Sequence, residues 1–386
     1  MKEERIEIVW NEKREGKIDI LDTEAIEFHK SLSIYQKTPL VCLKRLAEKL
    51  NVNHIFVKDE SYRFGLNAFK VLGASYAIAK YISQKTGQDI KKLGSNLEEM
   101  TFVTATDGNH GRGVAWTAKQ LGQKAVVYMP KGSSQERLER IIAEGAKAEI
   151  TDMNYDDAVR FSQKMAIENG WIVVQDTAWE GYEDIPTWIM QGYTTMGREI
   201  VEQLQGEKIT HIFLQAGVGS MAGAITGFFA DFYKEEKPII VIVEPAKADC
   251  LYQTAKANDG TLHCVTGDMN TIMAGLACGE PCSIGWNILK NYADAFIRCP
   301  EYVAADGMRI LAAPIKEDRA VISGESGAAG FGCMANILQC QELEDIKNKL
   351  RLDKNSNILC ISTEGDTDTQ NYRNIVWGGK YSKFEK

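Results

Sequence analysis

The chain has 386 residues, of which 44% are hydrophobic and 25% charged. These are the proportions of an ordinary globular protein with room for two or three domains. Its net charge of −8 argues against binding a nucleic-acid phosphate backbone as the main role.

Residues 1–22 are rich in Lys, Glu and Arg and carry no apolar stretch of the signal-peptide kind, and the longest apolar runs, such as Ile239-Ile240-Val241-Ile242-Val243, have strand length. The expectation is a cytoplasmic protein with no membrane partner. Nine cysteines in such a chain are expected as reduced thiols. Cys278 and Cys282 stand close in sequence, but no second Cys or His pair completes a zinc-site spacing, so no metal is expected. The alternative is a metal or redox-sensitive disulfide among the cysteines from Cys250 to Cys299.

Taken in order, residues 24–31 predict a helix, 37–40 a turn, and 40–50 carry apolar residues at helical spacing. His54-Ile55-Phe56-Val57-Lys58 reads as a strand. It leads through Ser61-Tyr62-Arg63-Phe64-Gly65-Leu66-Asn67-Ala68-Phe69-Lys70 into a helix over 71–85. Lys70 therefore sits where a loop becomes a helix. The helix macrodipole and the apolar neighbours Phe69, Val71 and Leu72 both favour its neutral amine, the form a Schiff-base lysine needs. The plain alternative is a surface lysine in a first helical turn.

From there a strand-and-helix alternation sets in, with strands expected over 102–105, 125–129, 148–151 and 171–174 and helices over 113–121, 135–144 and 155–168. Such alternation implies a parallel, doubly wound α/β sheet with ligands at the carboxyl ends of the strands. A helix after Pro186, within 183–205, returns the chain to a second sheet with strands over 211–214, 239–243 and 358–361.

Two polar loops follow strands. One is Thr106-Asp107-Gly108-Asn109-His110-Gly111-Arg112-Gly113; the other, Ala216-Gly217-Val218-Gly219-Ser220, opens a helix of small residues. Glycines let the backbone approach an anion closely, and N–H groups at a helix start can hold a phosphate. Gly223 falls one place late for the usual dinucleotide fingerprint, which makes this loop alone a weak signal.

Together, the Asn67-Ala68-Phe69-Lys70 segment, the Asn109-His110-Gly111 loop and the Gly217–Ser220 loop resemble the fold-type II family of pyridoxal-phosphate enzymes, which includes threonine dehydratase and cysteine synthase. The likeness extends through Gln175-Asp176-Thr177-Ala178-Trp179-Glu180-Gly181-Tyr182 and Ser323-Gly324-Glu325-Ser326-Gly327 to the diaminopropionate ammonia-lyase branch of that family. It covers the chain from about residue 35 onward. The resemblance implies a tryptophan synthase β-like fold, two doubly wound α/β domains with the active site between them. Residues 1–70 and 206–386 would form a large discontinuous cofactor domain and 71–205 a smaller one. A homodimer is implied, and the 23 residues after Thr363 leave no room for the regulatory domain of allosteric threonine dehydratases.

It also implies residue roles. Lys70 would carry pyridoxal 5'-phosphate and take the α-proton of an L-amino acid. Asp107, where related dehydratases have a small or hydroxyl-bearing residue, would serve a D-isomer from the opposite face. Its bland reading is an Asp-Gly turn. Asn109 would bond the ring hydroxyl, Gly217, Val218, Gly219 and Ser220 the phosphate, and Thr363 the pyridine nitrogen, with Ser362 as runner-up. Asp176 would receive the substrate's distal amine or merely cap a turn. His110 and Glu325 are left between direct and supporting roles. The expected reaction is α,β-elimination of 2,3-diaminopropionate to pyruvate and two ammonia. Serine or threonine dehydration is the alternative within the family, and a colourless phosphate- or nucleotide-binding protein the alternative outside it.

Overall fold

A computed structural model describes residues 5–12, 24–93, 97–106 and 108–383. In chain order its regular elements are β1 (Glu7–Trp10), α1 (Glu24–Ser31), β2 (Leu40–Cys42), α2 (Lys44–Leu50), β3 (His54–Asp59), α3 (Val71–Thr86), β4 (Thr101–Ala105), α4 (Asn109–Gln120), β5 (Lys124–Met129), α5 (Gln135–Ala143), β6 (Lys147–Ile150), α6 (Tyr155–Asn169), β7 (Ile172–Val173) and α7 (Asp184–Leu204). There follow β8 (His211–Gln215), α8 (Ser220–Tyr233), β9 (Ile239–Pro245), α9 (Cys250–Ala257), α10 (Ser283–Tyr292), β10 (Ala295–Cys299), α11 (Glu301–Ala312), α12 (Glu325–Gln339), α13 (Glu344–Lys349), β11 (Asn357–Ser362) and α14 (Thr369–Val376).

Among the described residues the strands form two sheets. One has four strands in the order β6-β5-β4-β7, all parallel. The other has seven, in the order β1-β10-β9-β8-β11-β3-β2. Its middle is parallel, while β1 and β2 close the two edges antiparallel. The apolar strands His211–Gln215 and Asn357–Ser362 are buried along their whole length, as expected for parallel strands covered on both faces. Among the described residues no helix is long and apolar enough to cross a membrane.

Several boundaries depart from the sequence reading. The apolar run 40–50 is not one helix. Its first residues pair with β3, and the distant Asp318 carboxylate accepts from the backbone N–H groups of Arg45 and Leu46, which fixes the start of α2. The α7 helix begins before Pro186 rather than after it. Pro186 lies in the first turn, where its missing N–H would have had no helical partner. Among the described residues the second sheet holds seven strands: the three expected there, the run 54–58 already read as a strand, and β1, β2 and β10, whose period-two patterns are weak.

Helices α3 and α7 lie in close contact: a Cβ on Gly192 would come within 2.4 Å of the Leu72 carbonyl oxygen. Below them a fully buried ionic cluster ties β3 to α7. Lys58 Nζ donates to Glu199 Oε2 at 2.6 Å, to the Thr38 carbonyl at 2.8 Å and to Gln203 Oε1 at 2.8 Å. Arg63 makes paired bonds to both Glu60 and Glu199. The segment that ends in Lys70 is therefore anchored at both ends.

Candidate active site

The loops after β3, β4, β7, β8 and β11 meet at the carboxyl ends of their strands and line one cleft of about 770 Å³. Lys70, Asn109, His110, Asp176, Gly217, Val218, Gly219, Ser220, Glu325 and Thr363 all line it. Asp107 lies outside the described residues.

Lys70 is the N-cap of α3 with helical backbone angles. Its Nζ forms an ion pair with Asp176 Oδ2. This differs from the sequence reading, in which apolar surroundings and the macrodipole alone decide its state. The fold brings in a carboxylate from more than a hundred residues away. Burial pushes the Asp176 carboxyl up, but the Lys70 ammonium and then His110 outweigh it and hold the group well below the usual carboxylate range. The other Asp176 oxygen accepts from the Tyr155 hydroxyl at 3.3 Å. Burial first, and the adjacent Asp176 second, push the Tyr155 phenol well above its ordinary value. Gln175 splints the region, donating to Tyr155 Oη and the Ala105 carbonyl while accepting from the Ala105 N–H and the Thr104 hydroxyl.

The β4 loop is shorter than its sequence suggests. Gly108 forms the N-cap and α4 starts at Asn109, so Asn109 and His110 sit in the first helical turn. His110 Nε2 bonds the Val174 carbonyl at 2.8 Å, fixing the loop after β4 to the loop after β7. Asn109 Nδ2 donates to Glu364 Oε2.

Gly219, with φ of +98°, turns the chain from β8 into α8, a conformation a Cβ would strain. N–H groups in a first helical turn have no partner within the helix. Ser220 Oγ donates to the Asp176 carbonyl, so the glycine turn and the Asp176 loop are joined. Behind the turn, Cys282 N donates to the Val218 carbonyl at 2.7 Å, and a Cβ on Gly217 would lie 3.1 Å from Cys278 Sγ. The closely spaced cysteine pair thus packs the glycine turn.

At the end of β11, Thr363 accepts at Oγ1 from Gln215 Nε2 at 2.9 Å and lines the cleft, while Ser362 turns away and donates to Ser323 Oγ at 2.8 Å. Glu325 opens α12 and accepts from Asn371. Burial and the neighbouring Glu364 push its carboxyl up to about 7. The residues present fit pyridoxal phosphate: an amine, a phosphate-sized helix start and an uncharged hydroxyl share one cleft.

Sequence reasoning missed Tyr155, Gln215 and Glu364 as members of this site. Glu364 carried a signal, a carboxylate directly after a buried strand and beside Thr363. Tyr155 carried none, since it reads as the first residue of an amphipathic helix.

The pyridoxal-phosphate dependent enzyme family model matches residues 32–363. The diaminopropionate ammonia-lyase of Salmonella typhimurium is 52% identical over 371 residues, 92% of this chain and 92% of that protein. The crystal structure of diaminopropionate ammonia lyase from Escherichia coli in complex with an aminoacrylate-PLP azomethine reaction intermediate superposes with a TM-score of 0.92 at 49% identity, covering 98% of this chain and 99% of that one. The same Escherichia coli enzyme in complex with D-serine gives a TM-score of 0.93 at 48% identity, with 98% and 99% covered.

Proposed function

The chain belongs to the pyridoxal-phosphate dependent enzymes and, within them, to the diaminopropionate ammonia-lyases, and from that membership we propose that it eliminates ammonia from both isomers of 2,3-diaminopropionate. The products are pyruvate and two ammonia, the second released by hydrolysis of the enamine left by the first. Pyridoxal phosphate, when bound, supplies the electron sink that makes the α-proton acidic.

In this reading Lys70 is the Schiff-base lysine and the base for the L isomer, and Asp107 takes the α-proton of the D isomer. Asp176 receives the substrate's second ammonium. Ammonia is a good leaving group only if it leaves protonated, and a carboxylate that stays ionised at neutral pH keeps the β-ammonium charged. Asn109 donates to the ring hydroxyl, Gly217, Val218, Gly219 and Ser220 hold the phosphate, and Thr363 faces the pyridine nitrogen. The observation that carries the reading is the contact of Lys70 with Asp176 inside the cleft that also holds the glycine turn and Thr363.

The test is release of pyruvate from D- and L-2,3-diaminopropionate and from D- and L-serine, with 2-oxobutyrate from L-threonine, for the native protein and Asp107→Asn. Turnover of both diaminopropionate isomers, with the substitution removing mainly D-isomer activity, is the expected outcome. Preference for serine or threonine with a silent Asp107→Asn would make the protein a dehydratase.

We also assign residues 71–205 to a small domain and 1–70 with 206–386 to a large one. In support, the four-stranded sheet draws only on residues within 101–173 and the seven-stranded sheet only on residues outside 71–205. A cytoplasmic homodimer completes the proposal, with sedimentation of the purified protein as its check.

A further inference from the structure

Glu364 was assigned nothing by its sequence, yet its carboxylate accepts three hydrogen bonds in the cleft. It is 2% exposed. Its Oε1 accepts from the Ser326 N–H at 3.2 Å, and its Oε2 accepts from Asn109 Nδ2 and from the Thr367 hydroxyl, the latter at 3.2 Å. Arg137 Nη2 in turn donates to Thr367 Oγ1 at 3.4 Å. The start of α12 is cut to fit it: a Cβ on Gly324 would lie 3.1 Å from Glu364 Cγ, and one on Gly327 would lie 2.8 Å from the Glu364 carbonyl oxygen.

Glu364 belongs to the end of β11 in the seven-stranded sheet, and Asn109 to α4 beside the four-stranded one. Their bond therefore crosses from one sheet's loops to the other's, and the Arg137–Thr367 and Thr369–Glu136 bonds run alongside it.

The chemistry of this bond decides which way Asn109 points. An amide has an accepting oxygen and an NH₂ with two donors, whereas an ionised carboxylate only accepts. With Glu364 opposite, the amide nitrogen must face the carboxylate, and its second N–H is left for a neighbouring acceptor. A glutamine at 364 could do this only at the cost of a donor-donor clash. All three partners of the carboxylate are donors, and the glutamine NH₂ would meet one of them head-on.

We propose that Glu364 is a positioning residue that fixes the Asn109 amide so that its remaining N–H is aimed at the ring hydroxyl of the cofactor. The inference rests on the assignment of Asn109 to that hydroxyl made above. Glu364 acts through Asn109, from across the boundary between the two sheets, so cofactor orientation depends on the two units being correctly joined.

Glu364→Gln, Asn109→Ala and the double variant test it, read by the visible absorption band of the purified holoenzyme, by titration with pyridoxal phosphate, and by the split between kcat and KM for 2,3-diaminopropionate. Each single substitution is expected to weaken cofactor binding on the order of 10- to 100-fold, as loss of a hydrogen bond to a charged group does. Both should shift the band in the same direction and lower kcat more than they raise KM. The double variant should be no worse than Asn109→Ala alone, because residues acting in one chain are not additive. A Glu364→Gln enzyme with the native band and affinity, or effects that multiply in the double variant, would overturn the role. Thr367→Val, which removes one donor and leaves the carboxylate, decides the matter if Glu364→Gln does not fold: a smaller shift of the same sign supports the proposal, and a native band defeats it. A native protein that takes up no pyridoxal phosphate would overturn the assignment of Asn109 as well.

Discussion

Two groups of buried charges, linked through the stretch from Lys58 to Lys70, are built on opposite plans. The cluster of Lys58, Glu60, Arg63 and Glu199 is fully buried, balanced at two positive and two negative charges, and bonded pair by pair. Burial disfavours charge on Lys58 and Glu199 alike, yet Arg63 and Lys58 together hold the Glu199 carboxyl below the usual range. The group in the cleft is different. Lys70 retains 19% side-chain exposure, and Glu325 and Glu364 stand near one another with Glu325 pushed up to about 7. A closed, neutral cluster stabilises one conformation. A cleft with crowded like charges and a reachable amine is arranged to meet a ligand.

The comparison breaks most visibly at the lysines. Lys70→Ala should abolish turnover, by on the order of 10⁴-fold or more, and remove the visible absorbance. An enzyme that kept its turnover without Lys70 would sink the Schiff-base reading. Glu199→Gln should do the reverse. It leaves Lys58 and Arg63 with one uncompensated buried charge, which costs about 3–5 kcal/mol of stability and lowers the denaturant midpoint, whereas molecules that remain folded keep most of their activity. A loss under about 1 kcal/mol would mean that the cluster is not the closed assembly described.

The smallest effect sharpens the contrast by pH. In the folded chain Glu325 takes up its proton near pH 7, against 4.5 for an ordinary glutamate. The native state then binds more protons between those values, so its stability falls as pH rises through that window. Glu325→Gln should remove the fall. The variant should match the native protein below pH 4.5 and exceed it by about 3 kcal/mol above pH 7. Denaturation curves that stay parallel across the window would show that burial and Glu364 do not raise the Glu325 carboxyl.

Much of the molecule was legible in its residues. The apolar runs and 3.6-residue patterns located most of the strands and helices that carry the site, though not α12, and the glycines of 217–219 marked a helix start fit for an anion, because local sterics and periodicity act over a few residues. The family resemblance supplied Lys70, Asn109, Asp176 and Thr363 as candidates. Tertiary structure alone decided which partners they meet. Asp176 reaches Lys70, Glu364 reaches Asn109, Asp318 caps α2 from a distant loop, and Ser362 turns from the cleft while Thr363 faces it. Those pairings join residues up to 273 positions apart, and spacing along a chain carries no signal of them. They arise only when β3, β8 and β11 align in one sheet and bring their loops together with those of β4 and β7, so that electrostatic neighbours are chosen by the packing of the sheets and not by the order of the sequence.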